Sequence, residues 1–501
     1  MLAATYRKLQ AILYRQPVLI LIFLFLVSVA VRLPNLDRPL SKHHEANAAL
    51  VLINAETWNL DGPAAYGYLP ANAYHYPGDD LNDTANLAKG YIINTSFGTL
   101  WYSMPYYFFK VLGVAPSPLS LQVFNLLLHF ITTVLVYYLA LLLFSVHPKK
   151  HVAAFFTTAF YVFAPGPLWF HGNGYVHEIA VLPFVFGAVL LYMRSNYQSN
   201  WNWWRLLLLA IFIIAGIQCD WLMCFVALSL FIAEVVKFIK YKQARSLTVA
   251  MVIALSVVAG LIIIIIQFSS FMGFENYMKA MLDRYVQRGV AGTSERGGLA
   301  ANAGILSWYV ISYGFLLMLL PLFFLRKEAK QFVEKNKTLK YFLLIAAAIC
   351  LAHHLLFWGF TSVHDYAVTK SAFLIAIVGA MAILQVKRKQ WQAAILMLVL
   401  IGSIALYYYF NRPGAYAANG QPYSYFKDLG EAIKNVETSD EYVFTNVPEL
   451  SANLVYYSKR YYKVVDNYEK AVEYFETLPG TKAVYIETAD FRFVSYKRMR
   501  K

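Results

Sequence analysis

The sequence predicts a polytopic α-helical membrane protein of about eleven crossing helices, and three observations carry that prediction. Apolar residues make up 59% of the 501 and charged residues only 14%, a balance that water-soluble domains of this size do not show. Apolar runs close to the ~20 residues a helix needs to cross a hydrocarbon core recur along the chain. Lysine and arginine crowd into alternate loops between those runs, so the net charge of +15 reflects topology and not a nucleic-acid-binding module.

The elements follow in order. A basic segment with Arg7, Lys8 and Arg15 precedes the first run, Pro17 to Leu33, after which no small-residue cleavage site follows. It reads as an uncleaved anchor with its basic flank in the cytoplasm. Residues 34–118 then form a first outer loop with two amphipathic pieces, Glu45 to Trp58 and Phe97 to Leu112, too polar to cross and expected to lie along the interface. Ten more spans are expected at residues 119–146, 152–168, 177–194, 205–220, 221–240, 247–268, 303–325, 341–360, 367–386 and 391–410. An odd total of eleven leaves the C-terminal segment outside as well.

Loop charges test this count independently. Lys149 and Lys150, Arg194 and Arg205, Lys237 to Arg245, Arg326 to Lys340 and Lys387 to Lys389 all fall on one side. The short opposite loops near residues 169–177, 219–221 and 361–366 contain no lysine or arginine. Cys219, Cys224 and Cys350 lie in or beside apolar spans without a paired motif, and read as buried small hydrophobes.

A second outer loop, residues 269–302, opens with an amphipathic helix (Phe274 to Val286) and continues into GVAGTSERGGLAANAG. Residues 1–410 thus form a transmembrane domain. In residues 411–501, helical patterns (Tyr425 to Val436, Glu449 to Tyr456, Tyr468 to Leu478) alternate with strand-like runs (Tyr442 to Thr445, Lys463 to Val465, Ala483 to Ile486), which predicts a small extracytoplasmic α/β domain. It has no nucleotide-binding glycine loop.

Charged side chains near span ends are costly and need a reason. On the outer face they are Asp37, Lys42, His43, His44, Glu45, Asp220, His364 and Asp365, with His171, His177 and Glu178 in the short loop near residue 174. No nucleotide sugar or ATP is available outside the cytoplasm, so an enzyme there takes its activated group from a lipid that has crossed the bilayer. A polyprenyl phosphate is such a carrier, its phosphate a good leaving group. The acceptor hydroxyl then needs one base, and the phosphate needs cations. Glu45, beside Lys42, His43 and His44, fits that requirement, although an acid in a first helical turn is also favoured by the helix dipole alone.

Three stretches then resemble the GT-C superfamily of membrane glycosyltransferases, in particular the branch of protein O-mannosyltransferases and aminoarabinose transferases. They are RLPNLDRPLSKHHEANAA (residues 32–49), NTSFGTLWYSMPYYFFKVLG (94–113) and FWGFTSVHDYAVTKSAF (357–373). The resemblance implies inverting sugar transfer from a polyprenyl-phosphate donor to a glycan, lipid or protein acceptor, with the first-loop acid, Glu45, as base. Many relatives have an aspartate there, often beside a second acid, where this chain has His-His-Glu; Asp37, Asp79, Asp80 or Asp83 is the candidate to share the role.

Asp220 joins Glu45 and Asp37 as a candidate catalytic acid. Lys42, Arg284, Arg288 and Lys370 are the candidate phosphate ligands, with Arg296 a further cation in the same loop. His43, His44, His364, Asp365 and Tyr366 are expected in the pocket. No metal is assigned: adjacent histidines diverge on a helix and no HxxxH or HExxH spacing occurs, although donors such as His43, His44, Glu45 and Asp365 could be assembled on the outer surface around a divalent ion. Two alternatives stand beside transfer. A flippase for lipid-linked saccharides should show internal repeats with broken helices at mid-depth, and an oligosaccharide ligase would take a diphosphate donor. The absence of retention signals and of a disulfide framework points to a bacterial inner membrane.

Overall fold

The apolar runs fold as helices in the computed structural model, which describes residues 16–41, 44–72, 74, 87–88, 91–289, 298–412, 422–436, 441–448, 451–490 and 492–501. The helices that matter for the site are α1 (Pro17–Arg32), α2 (Glu45–Asp61), α3 (Leu100–Leu112), α4 (Pro118–Leu143), α5 (Lys150–Phe163), α6 (Pro165–Phe170) and α7 (His177–Tyr197). They continue with α8 (Trp203–Ile217), α9 (Leu222–Tyr241), α10 (Ala244–Met272), α11 (Phe274–Arg288), α12 (Ala301–Leu325), α13 (Lys337–Leu356), α14 (Asp365–Leu384) and α15 (Lys389–Asn411).

Nine helices among the described residues are long and apolar enough to cross a membrane. Large apolar side chains such as Leu255 and Ile266 on α10 are more than half exposed, which is tolerable only against lipid. The chain is an integral membrane protein. Two of the eleven expected spans come out shorter: α5 has 14 residues and α8 has 15. Pro165, at the first position of α6, has no amide hydrogen to continue the α5 ladder, and the chain bends there. Elsewhere local signals agree with the hydropathy: Ser117, just ahead of Pro118, forms a capping box with Ser120 in the first turn of α4, and Asn336 caps α13.

α14 is the central helix, with 89% of its apolar window buried, whereas α13 and α15 have 17%. The alternating helix directions put the start of α14, the starts of α7 and α9, and the ends of α1, α8 and α13 at one end of the bundle. Both amphipathic pieces of the first loop are helices, as expected. α2 is buried beneath the C-terminal segment, beside α3 and α4.

The C-terminal segment contains α16 (Tyr425–Val436), α17 (Ala452–Ser458) and α18 (Tyr468–Thr477) around a four-stranded sheet: β1 (Tyr442–Thr445), β2 (Lys463–Val464), β3 (Lys482–Ala489) and β4 (Arg492–Arg500). The order is β2-β1-β3-β4, parallel except for the antiparallel β3–β4 pair. Strand alternation divides the side chains. Val443, Val484 and Ile486 join the main core, while Tyr442, Phe444, Ala483 and Tyr485 pack with Ala471 and Phe475 of α18. β4 was not expected, because RFVSYKRMR is too basic to read as a strand. It is an edge strand, where lysine and arginine stay solvated.

Candidate active site

At the loop end of the bundle, three side chains from two elements converge. His177 and Glu178 open α7, and Asp220 sits in the tight turn between α8 and α9. The His177 Nδ1 lies 2.5 Å from Asp220 Oδ2 and 3.0 Å from Glu178 Oε2. The other Asp220 oxygen accepts from the Leu222 amide at 2.6 Å, which pins the carboxylate to the first turn of α9. All three are buried, and neither Glu178 oxygen has a hydrogen-bond partner among the described residues. A buried carboxylate in that condition is expensive unless charge or substrate compensates it.

The loop carrying His177 is held from three sides. The Arg32 guanidinium, fully buried, donates to the carbonyls of Leu168 and Pro167 and contacts His129 Nδ1. Asn125 donates to Phe170 O, and Asn173 donates to Asn35 O. The floor is aromatic: Phe97 stacks on His177 with centroids 3.5 Å apart, and Trp101 and Phe360 flank it. Gly98 makes this approach feasible, since a Cβ there would lie 2.6 Å from the Gln218 backbone.

Two cations face the carboxylates. Arg288, the last residue of α11, places its guanidinium over Phe97 (4.6 Å) and Phe360 (5.1 Å). Burial lowers its pKa from the ordinary guanidinium value, with Tyr366, Glu178 and Asp220 acting in the opposite sense. Lys370, buried at the start of α14, donates to His353 Nδ1 at 2.8 Å and lies within electrostatic reach of Glu178 and Asp220. Tyr366 joins this group to a second one: His44 Nε2 is 3.2 Å from Asp365 Oδ1, and the His44 ring stacks on His364 at 5.2 Å and meets Tyr366 edge-on at 4.7 Å.

The site residues expected from sequence divide accordingly. Asp220, Arg288, Lys370, His44, His364, Asp365 and Tyr366 are brought together. Arg284 is one turn back along α11 and acts electrostatically on Arg288. Asp37 has a left-handed backbone and its amide donates to Gln122, at the other flank of the loop. Lys42, His43, Asp79, Asp80, Asp83 and Arg296 lie outside the described residues.

Glu45 is adjacent to this cluster in sequence but its carboxylate is engaged elsewhere. It receives two bonds from the Arg38 guanidinium, at 2.6 and 3.2 Å, and one from the Ser41 amide at 2.8 Å, and it is fully buried. Arg38 itself lies between Trp169 (5.2 Å) and Tyr423 (4.3 Å). Glu45→Gln is therefore expected to leave a buried guanidinium half-paired and to cost roughly 3–5 kcal/mol of stability, read as a fall in thermal midpoint in detergent. An unchanged midpoint would show that the pair contributes little. His44, just before it, takes φ +57°, a conformation that costs a non-glycine residue about 1–2 kcal/mol and that turns its ring toward Asp365.

Burial holds the His364 imidazole down at about 3, with His44 and Arg288 adding in the same direction and its bond to Phe360 O opposing. A neutral folded histidine against an unfolded value near 6.5 gives stability that is full above pH ~6.5 and is lost as pH falls from there toward 3. His364→Gln should flatten that acid limb of the midpoint-versus-pH curve. An unaltered limb would assign it to other groups.

The donor set for a metal also differs from the one considered from sequence. His177, Glu178 and Asp220 offer one nitrogen and two oxygens, all within 4.8 Å of one another, and the unpartnered Glu178 oxygens make the set fit a divalent cation. His177 and Glu178 had been seen only as polar groups at a span end. The adjacent His-Glu pair opening an apolar run was the available signal, but its partner Asp220 is 42 residues beyond Glu178, and only the fold joins them. A cavity of about 540 Å³ runs from Lys370 between α4, α7, α9, α13 and α14 toward Lys237 and Asn336 at the opposite end. Its wall is apolar, with Leu182, Val226, Phe342, Ile349 and Phe373.

No family model matches the sequence, and no curated protein does. Solved structures match the fold. The oligosaccharyltransferase of Archaeoglobus fulgidus, crystallised with zinc and sulfate, superposes with a TM-score of 0.57 at 13% identity over 93% of this chain and 67% of that one. The oligosaccharyltransferase AglB from Archaeoglobus fulgidus, in complex with an inhibitory peptide and a dolichol-phosphate, gives 0.55 at 13% over 93% and 69%. ArnT from Cupriavidus metallidurans, bound to undecaprenyl phosphate, gives 0.59 at 11% over 94% and 93%. The chain has the GT-C fold that these membrane proteins share.

Proposed function

On that fold, we propose that the chain transfers a sugar from a polyprenyl-phosphate donor to an acceptor hydroxyl, with Glu178 as the base. The observation that carries the reading is the buried Glu178 carboxylate, paired with His177 but accepting no hydrogen bond among the described residues, within electrostatic reach of Arg288 and Lys370. In the reaction, the acceptor O–H gives its proton to Glu178 while its oxygen bonds to the anomeric carbon. The bond from that carbon to the phosphate oxygen breaks, its electron pair stays on the phosphate, and the configuration inverts. Arg288 and Lys370 receive the charge of the departing polyprenyl phosphate.

Asp220 acts through His177, fixing the imidazole against Glu178. His177, Glu178 and Asp220 would also hold a divalent cation, which would supply positive charge at the site; Arg288 and Lys370 bring charge of the same sign without it. The apolar cavity that begins at Lys370 suits an isoprenoid chain, and the undecaprenyl and dolichol phosphates held by the structural neighbours belong to that carrier class. The acceptor is a glycan, lipid or protein hydroxyl. The charge asymmetry of the loops supports an extracytoplasmic site.

Purified protein in lipid, given a polyprenyl-phosphate sugar and an acceptor, should release free polyprenyl phosphate only when the acceptor is present. Movement of the intact donor between leaflets without release would favour the flippase instead, for which the cavity reaching from Lys370 to Lys237 is the one structural argument.

A further inference from the structure

The C-terminal α/β segment grips the turn that presents His44, and it does so at two separated points. Before α2, the Leu40 amide donates to Tyr457 Oη at 2.7 Å, and Tyr425 Oη reaches Ser41 O at 3.4 Å. Further along α2, Lys459 Nζ donates to both Glu56 oxygens, at 2.7 and 2.6 Å, and to Tyr74 Oη at 3.1 Å; Tyr74 in turn donates to Glu56. Glu45 and Glu56 are 11 residues, about three helical turns, apart, so the two contacts fix both the position and the direction of the helix.

The gripping residues are themselves held firmly. Tyr457 and Lys459 lie in and just after α17, whose backbone presses on α16 at Gly430. A Cβ there would come within 2.5 Å of Tyr457 Cβ and 2.8 Å of the Ser458 nitrogen. The Lys459 ammonium lies 3.9 Å from the Tyr456 ring centroid. Tyr423, from the same segment, closes over Arg38, the partner of Glu45. The strained His44 backbone is thus bracketed by Leu40 and Ser41 on one side and by the Glu45 ion pair on the other.

We propose that Tyr457 and Lys459 are positioning residues for the site: the C-terminal segment is a clamp that holds Leu40, Ser41 and α2 so that His44 faces Asp365. The clamp stands on geometry alone, and its kinetic consequence rests on the glycosyl-transfer reading above.

The test uses the full chain in lipid, with Tyr457→Phe, Lys459→Met and, as the conservative control, Lys459→Arg. Amide hydrogen exchange over residues 38–48 should rise about tenfold in the first two, the loss of roughly one hydrogen bond's worth of local protection, while the His177 and Asp220 loops stay as they were. With a polyprenyl-phosphate sugar, kcat should fall about tenfold at unchanged donor KM, and Lys459→Arg should restore it. Unchanged exchange in both variants overturns the clamp. Faster exchange with full kcat overturns the positioning role. Faster exchange with no turnover in any protein, the unsubstituted one included, upholds the clamp and contradicts the transfer reading instead. Gly430→Ala, which pushes α16 off Tyr457 without touching either contact atom, should reproduce the exchange pattern; protection as in the parent protein would count against the clamp.

Discussion

Glu178→Gln is expected to lower kcat for sugar transfer by roughly 10²–10⁴-fold, the range a positioned base contributes. The change removes the proton acceptor and little volume. Stability should change little, because a neutral amide is cheaper to bury than a carboxylate whose oxygens accept no hydrogen bond among the described residues, which offsets the lost ion contact with His177. That combination distinguishes it from Glu45→Gln, which should lose stability by breaking the Arg38 pair. Single-turnover release of polyprenyl phosphate and a thermal midpoint on the same preparation check both halves. Retained kcat in Glu178→Gln would move the base to one of the histidines with a carboxylate partner in the cluster, His177 beside Asp220 or His44 beside Asp365.

The second large effect is on donor binding. Arg288→Met keeps an apolar stem over Phe97 and Phe360 but removes the charge that faces the carboxylates. Losing one charge-assisted phosphate contact, about 1.5–3 kcal/mol, should weaken binding of a polyprenyl phosphate roughly 10–150-fold. A neutral polyprenol should bind the variant and the parent alike. Equal loss for phosphate and alcohol would mean that Arg288 shapes the apolar wall and does not hold phosphate.

These expectations separate what was readable in the residues from what was not. Hydropathy marked the helices because crossing a bilayer imposes both length and composition, and only α5 and α8 fell short, α5 where Pro165 interrupts its ladder. The small sheet was legible through β1, β2 and β3, whereas β4 hid behind its basic residues. At the site, loop topology placed Asp220, His177, Glu178, His364 and Asp365 at one end of the bundle. It did not pair them. His177 meets Asp220 across 43 residues, and Gly98 lets the residue 94–99 loop cross the α8–α9 turn beside them, contacts that residue type does not announce.

Glu45 shows the opposite difficulty. It stood out as the acid beside two histidines, yet Arg38, seven residues earlier, takes its carboxylate once Pro39 to Ser41 turn the chain back. An arginine ahead of a short turn and a helix-opening glutamate is the signal that was present. The left-handed backbone at His44 then makes the histidine, rather than the glutamate, face Asp365. No contribution from the C-terminal segment was expected at the site, because Tyr457 and Leu40 are 417 residues apart.

The most direct measurement is a structure of the protein in lipid with a polyprenyl phosphate bound. The account predicts the phosphate within hydrogen-bond reach of Arg288 or Lys370, a free phosphate oxygen turned toward Glu178 across the space the sugar takes in the donor, and the isoprenoid chain descending into the apolar cavity below Lys370. A phosphate lodged instead at the Lys237 and Asn336 end of that cavity, far from Glu178, would contradict transfer at this site.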